Sequence, residues 1–211
     1  MQAFGEDRVQ VDWKPFVIDP GTHVEGESVE SYCRRRWGSS GWTHHLQSEG
    51  RKDGANFGTW TTWPNTWKAH QLIQFCRTAG GMSTDRVNQV LFHAEYEEGR
   101  NISQVETLLQ LAREELGIVQ EDVLESLRTY LSQDQGKQQV QDEIRSGRAR
   151  YGIRGVPFFI VRGKDPSKRP HGFSGARSSD TFLELFEEVA DDNDNDIDND
   201  DNDSDNISLG L

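Results

Sequence analysis

The pattern of apolar and polar positions divides the chain into three stretches of different character. Val9-Gln10-Val11-Asp12-Trp13 alternates as a half-buried strand does. Lys14-Pro15 ends that pattern, and Phe16-Val17-Ile18 leads to a turn at Asp19-Pro20-Gly21. From 21 to 64 neither period holds. Ser28 to Trp37 reads as a short helix, and the rest, with Trp37, Trp42, Trp60 and Trp63, as ordered loop whose indole rings seek burial.

A helical period then takes over. Asn65 or Thr66 can cap a helix with Ala69, Leu72, Ile73, Cys76 and Ala79 on its inner face, closed by Gly80-Gly81. Ser83 or Thr84 opens the next, with Val87, Val90, Leu91 and Ala94 inward and Gly99 as its stop. Ser103 followed by Glu106 has the form of a capping box ahead of Val105, Leu108, Leu109, Ala112 and Leu116. Val123, Leu124, Leu127 and Leu131 continue at helical spacing, and a helix poor in apolar positions covers Gln135 to Ala149.

The third stretch reads as a hairpin and a helix. Gly155 to Val161 is a compact apolar strand entered through Pro157, Lys164 to Pro170 a turn, and His171 to Ser174 the returning strand. Phe182, Leu183, Phe186 and Val189 then mark one face of a last helix. Strand, helices, hairpin and helix in that order predict an α/β domain interrupted by a helical insertion.

Composition changes this picture only at the C-terminus. The net charge of −13 over 211 residues is concentrated between Asp191 and Asn206, where nine aspartates stand; without them −4 remains. That segment reads as a disordered, solubilising tail rather than a calcium loop, because Ile197 and Asp203 occupy the positions that need Gly and a bidentate Glu. No run approaches the ~18 apolar residues of a membrane span, and no basic, apolar leader is visible at the start. Arg34-Arg35-Arg36 is the one basic triplet, so neither a nucleic-acid nor a membrane partner is expected. Cys33 and Cys76, 43 positions apart, form no short-range motif, which points to a reducing, cytoplasmic setting.

Candidate chemistry is sparse. Cys76 lies on an apolar helix face, where a buried thiol is the plain reading; Cys33, ahead of three arginines, is either structural or a thiol of lowered pKa. His44-His45 and His70 lack partners at metal-ligand spacing, so no metal and no cofactor is expected. The tryptophans between 37 and 67 either line a groove or form core.

Gly152-Ile-Arg-Gly-Val-Pro-Phe-Phe159, the hairpin after it, Ser174-Gly-Ala176 and the last helix resemble the C-terminal half of the DsbA-like thioredoxin superfamily. Val11 to Phe16 with Asp19-Pro20, Asn65-Thr66 with Ala69-His70, and Leu91-Phe92 with Glu98-Gly99 and Asn101-Ile102 resemble its FrnE-type branch, related to kappa-class glutathione transferases and 2-hydroxychromene-2-carboxylate isomerases. The resemblance implies a thioredoxin-like α/β fold: residues 8–63 and 151–190 as parts of the core domain, 64–150 as a helical insertion, and 191–211 as the tail. It implies thiol–disulfide oxidoreductase chemistry on protein or peptide thiols and disulfides, with glutathione as a further partner. Gly155, Val156 and Pro157 would form a cis-proline loop that pairs with substrate as a short strand, with Asn65 and His70 near its groove; from the residues alone, Asn65 is equally a helix cap and His70 a partly buried helix residue. The family's first core strand, its Cys-x-x-Cys and its first helix have no counterpart in these residues, so no catalytic residue is assigned in this chain. Two accounts stand: the residues belong to a longer protein, or the chain is a shortened paralogue without redox chemistry. A non-redox binding module for peptide or glutathione is the alternative function, and a glutathione-dependent isomerase or transferase the third.

Overall fold

The computed structural model describes residues 9–194. They form two compact units, 9–147 and 148–194, so the expected N-terminal part and nearly all of the helical segment fall in the first. Residues 195–211, most of the expected tail, lie outside the described residues.

Val9–Trp13 does not form the expected strand. No strand lies beside it among the described residues, so its main chain finds side chains instead of a ladder. Trp13 donates its backbone N–H to Thr84 Oγ1 (3.0 Å) and its indole N–H to Asp85 Oδ1 (2.7 Å). Downstream, Val17 is buried against Val140, Ile144 and Trp67.

A two-residue strand, β1 (Glu27–Ser28), leads into α1 (Val29–Trp37), whose first turn is capped by Ser28 Oγ accepting from the Ser31 N–H. The residues after it, expected as loop, form α2 (Trp42–Lys52), which places His44 and His45 on a helix rather than in a loop. Gly50 sits inside this helix because the Phe57 ring of the following 3₁₀ turn (Phe57–Thr59) packs on it: an added Cβ would lie 2.5 Å from Phe57 Cε2. β2 (Thr62–Trp63) returns antiparallel to β1, with Glu27 opposite Trp63 and Ser28 opposite Thr62. Tyr32 stacks on Trp63 at 3.9 Å, and Val29, Cys33 and Trp60 are buried with it. The tryptophans thus form a small core, with Trp37 and Trp42 at its exposed rim.

The main core is helical. α3 (Trp67–Gly80), α4 (Thr84–Phe92), α5 (Val105–Glu114) and α6 (Glu121–Ser132) bury Leu72, Val87, Leu108, Leu111, Leu127 and Leu131 against one another. Ala79 is exposed, and two amides take inner positions of α3 instead. Gln71 donates to Asp134 Oδ1 (3.0 Å) and accepts from the Gly136 N–H (3.1 Å), pinning the turn between α6 and α7 (Lys137–Tyr151). The expected capping box does not form: Gln104 is the N-cap of α5, the Ser103 hydroxyl accepts from the Asn65 N–H, and Glu106 pairs with Arg128.

After α4 the helix widens into a π turn over His93–Glu97, which carries the Glu95 carboxyl inside. Its Oε2 accepts from the Ile102 N–H (3.4 Å), while Oε1 has no partner among the described residues. Burial pushes this carboxyl from about 4.5 up to about 8.

In the second unit, β3 (Phe158–Val161) pairs antiparallel with β4 (His171–Ser174), in the register Phe158 to Ser174 through Val161 to His171. Phe159 and Phe173 stack at 5.3 Å, and α8 (Ser179–Asp194) lays Phe182 against both. α8 runs four residues into the segment expected to be a tail.

Two outcomes follow from the first unit. Leu127→Ala, at a fully buried α6 position, is expected to lower unfolding stability by about 3 kcal/mol in denaturant titration, against less than about 0.5 kcal/mol for exposed Val119→Ala. Glu95 binds a proton more tightly folded than unfolded, so its contribution is fully present below about pH 4.5 and is lost as pH rises through about 8. Between about pH 6 and pH 8.5 the wild type should lose roughly 2 kcal/mol more than Glu95→Gln does, read from the two unfolding curves.

Candidate functional site

The loop before β3 is built by the end of α7. The Gly152 N–H bonds to Arg148 O (3.0 Å) and Gly152 takes φ +66°, which stops the helix and turns the chain. Ile153 and Arg154 then lead to a bend at Gly155-Val156-Pro157, in which the Val156–Pro157 peptide is cis. Pro157 O accepts from the Gly175 N–H (2.8 Å), which anchors the start of the hairpin. Val156 behaves differently: the residue is 45% exposed, and its backbone N–H and C=O have no partner among the described residues. Among the described residues nothing lies within 4 Å of where a Cβ on Gly155 would stand, so the face beside Val156 is open. An exposed main chain with free donor and acceptor can accept another strand.

Asn65 and His70 belong to the first unit. Every polar group of the Asn65 side chain is engaged: Nδ2–H donates to Thr22 O (2.9 Å) and Oδ1 accepts from the Trp67 N–H (3.3 Å). Its backbone N–H reaches Ser103 Oγ (2.8 Å), and Ser103 N–H in turn donates to Asn101 Oδ1 (3.0 Å). Thr66 is the N-cap of α3 and makes no side-chain cap bond; Asn65, one residue earlier, supplies an acceptor to the first helical N–H and ties two loops to the start of the helix. His70 Nε2 lies 3.2 Å from Phe16 O, and burial of the imidazole pushes it down to about 4. A neutral ring facing a carbonyl carries its proton on Nε2, which leaves Nδ1 as an acceptor. His70 lines a cavity of about 30 Å³ with Trp13, Gln74, Arg77 and Glu143. Arg77 and Gln74 both donate to Glu143 Oε1, at 2.8 and 3.2 Å. Gln74 is the residue in this cavity that periodicity does not reveal, since an amide at an inner helix position reads as exposed.

Neither cysteine is activated. Both are free thiols and both are buried. Burial raises the Cys33 thiol above its ordinary range and pushes Cys76 to about 12. Of the arginines after Cys33, Arg34 is paired with Glu30, and Arg35 with Glu27 and Asp19. The reactive reading of Cys33 is thereby corrected: α1 turns this thiol into the tryptophan core, away from the charges beside it in sequence. Among the described residues no three His, Cys, Asp or Glu side chains are grouped to hold a metal ion, and no helix is long and apolar enough to cross a membrane.

No curated protein matches the chain. The sequence does match the family model of the DSBA-like thioredoxin domain over residues 1–187, which takes in both units and the Gly155-Val156-Pro157 loop. With that match over most of its length, the chain belongs to the DSBA-like thioredoxin-domain family.

Proposed function

We propose that this chain holds an extended peptide along Gly155-Val156-Pro157 by main-chain hydrogen bonds, and that its own two cysteines perform no dithiol–disulfide exchange. The observation that carries this reading is the exposed Val156, with an unpartnered N–H and C=O directly before β3. Each main-chain hydrogen bond to a ligand there is worth about 0.5–1.5 kcal/mol, so two or three give binding that is weak and reversible. Exchange needs a thiolate that is both exposed and stabilised; Cys33 and Cys76 are buried, with raised pKa values. Glutathione, itself a short peptide, belongs to the same ligand class. Two free thiols suit a reducing compartment, and we place the chain in the cytoplasm on that ground.

A second reading keeps the family's thiol–disulfide oxidoreductase activity and draws the dithiol from outside these 211 residues. Membership of the family favours it. In that reading the same loop presents the substrate disulfide to the dithiol, and the segments that resemble the FrnE-type branch favour that branch.

The purified chain is expected to reduce insulin no faster than buffer containing the same reductant, and Cys33→Ala/Cys76→Ala to bind peptide as the wild type does. Insulin turbidity rising at a rate the double variant abolishes would falsify the first half. Gly155→Ala puts a methyl where the protein itself leaves room. Its unfolding midpoint should match the wild type while its peptide affinity drops about threefold or more, the cost of roughly one main-chain hydrogen bond. Unchanged affinity would place the ligand elsewhere.

A further inference from the structure

The chain's charge is distributed in blocks. Its net −13 includes nine aspartates between Asp191 and Asp205, whereas residues 148–177 hold eight Lys and Arg against one acid, Asp165. That aspartate is already engaged, accepting from the backbone N–H of Ser167 (2.8 Å) and from its hydroxyl (2.9 Å). The other acids of the second unit's described part before Asp191, Asp180, Glu184, Glu187 and Glu188, all belong to α8.

The basic segment also has a shape. Arg148, Gly152, Ile153 and Arg154 line a shallow, open hollow on the surface. α7 ends at Tyr151 and Gly152 turns the chain, so Arg154 follows the helix on a segment without regular structure. Arg154 has no ion-pair or hydrogen-bond partner among the described residues, in contrast to Arg162, which donates to the Tyr151 hydroxyl (3.2 Å), and Arg177, which donates to Ala176 O (3.0 Å). It stands two residues before Val156, so their Cα atoms are separated by at most about 7.6 Å. An extended peptide advances about 3.3 Å per residue. A ligand paired with Val156 therefore brings a side chain two or three positions away over the Arg148–Arg154 hollow.

Resting on the peptide-binding reading above, we infer that this hollow selects the ligand by charge: the chain takes acidic peptide segments, with a Glu or Asp two or three residues from the position opposite Val156 and its carboxylate seated against Arg154. Guanidinium groups suit this role because their planar forks meet a carboxylate with two parallel hydrogen bonds. The hollow contains no aromatic ring on which a base would stack, and Phe159, Phe173 and Phe182 pack on one another. A peptide therefore fits it better than a nucleic acid.

The test uses the full chain and three fluorescent peptides of equal length, alternating Val with Glu, Gln or Lys, followed by anisotropy. At low ionic strength the Glu peptide should bind about fivefold tighter than the Gln peptide and the Lys peptide weakest, with the spread closing as salt is added. Arg154→Glu should erase the preference for Glu over Gln, and Arg154→Lys should keep most of it. Equal affinity for the Glu and Gln peptides, or a preference untouched in Arg154→Glu, overturns the charge selection while leaving peptide pairing standing. If none of the three peptides binds, the pairing reading itself falls, and the selection with it. Displacement of the Glu peptide by glutathione as effectively as by unlabelled peptide overturns the assignment to a peptide segment, and so does equal binding of an oligodeoxynucleotide of the same charge.

Discussion

Main-chain hydrogen bonding is the constraint on which the rest of this structure depends. Every N–H and C=O removed from water needs a partner, and the chain meets that need in two ways. α3 to α6 satisfy themselves, which frees their apolar faces to pack through Leu72, Val87, Leu108 and Leu127. Segments without a regular partner borrow side chains: Thr84 takes the Trp13 N–H, His70 meets Phe16 O, and Asn65 takes Thr22 O and the Trp67 N–H. At Val156 neither solution operates among the described residues, and an exposed donor and acceptor remain just ahead of a strand. The first solution gives stability and the second gives position, and the open groups at Val156 are where the proposed peptide would pair.

The parts of the fold legible in the sequence were those in which one face of one element decides the matter. The inner positions of α3 to α6 follow a 3.6-residue period closely enough to be read directly, and the hairpin of β3 and β4 is bracketed by Pro157 and the Lys164–Pro170 turn. What escaped depends on contacts distant along the chain. α2 reads as loop because Gly50 interrupts it, and the reason for Gly50 is the Phe57 ring. Val9–Trp13 has the alternation of a strand, but alternation reports which side chains face inward and does not supply a neighbouring ladder. Ser103 carries a cap signature, yet its hydroxyl is taken by Asn65, 38 residues away. Gln71, Gln74 and Glu95 are buried polar groups, which periodicity assigns to the surface by default.

The candidate site divides along the same line. Gly155-Val156-Pro157 is legible because a proline ahead of an apolar strand is a local anomaly. The fate of Cys33 is not, because its reactivity turns on burial: the arginines beside it in sequence pair with Glu30, Glu27 and Asp19, while the thiol faces the tryptophan core. Proximity in sequence overstated the electrostatics, and solvation decided the outcome.

Solvation also sets how the basic face beside the loop can act. Ion pairs at an exposed rim contribute little to affinity, since both partners stay hydrated and salt screens them. Main-chain pairing in turn contributes little to selection, because every peptide carries the same backbone. A loop that offers only N–H and C=O groups would accept any extended chain, and a basic surface alone would attract any anion. Side by side within one short segment, the two complement each other. In the complex proposed above, the backbone of Val156 would fix the orientation and register of the peptide, and register would determine which of its side chains faces Arg154. Discrimination in such an arrangement comes from position, so a modest charge preference becomes specific for sequence rather than for net charge.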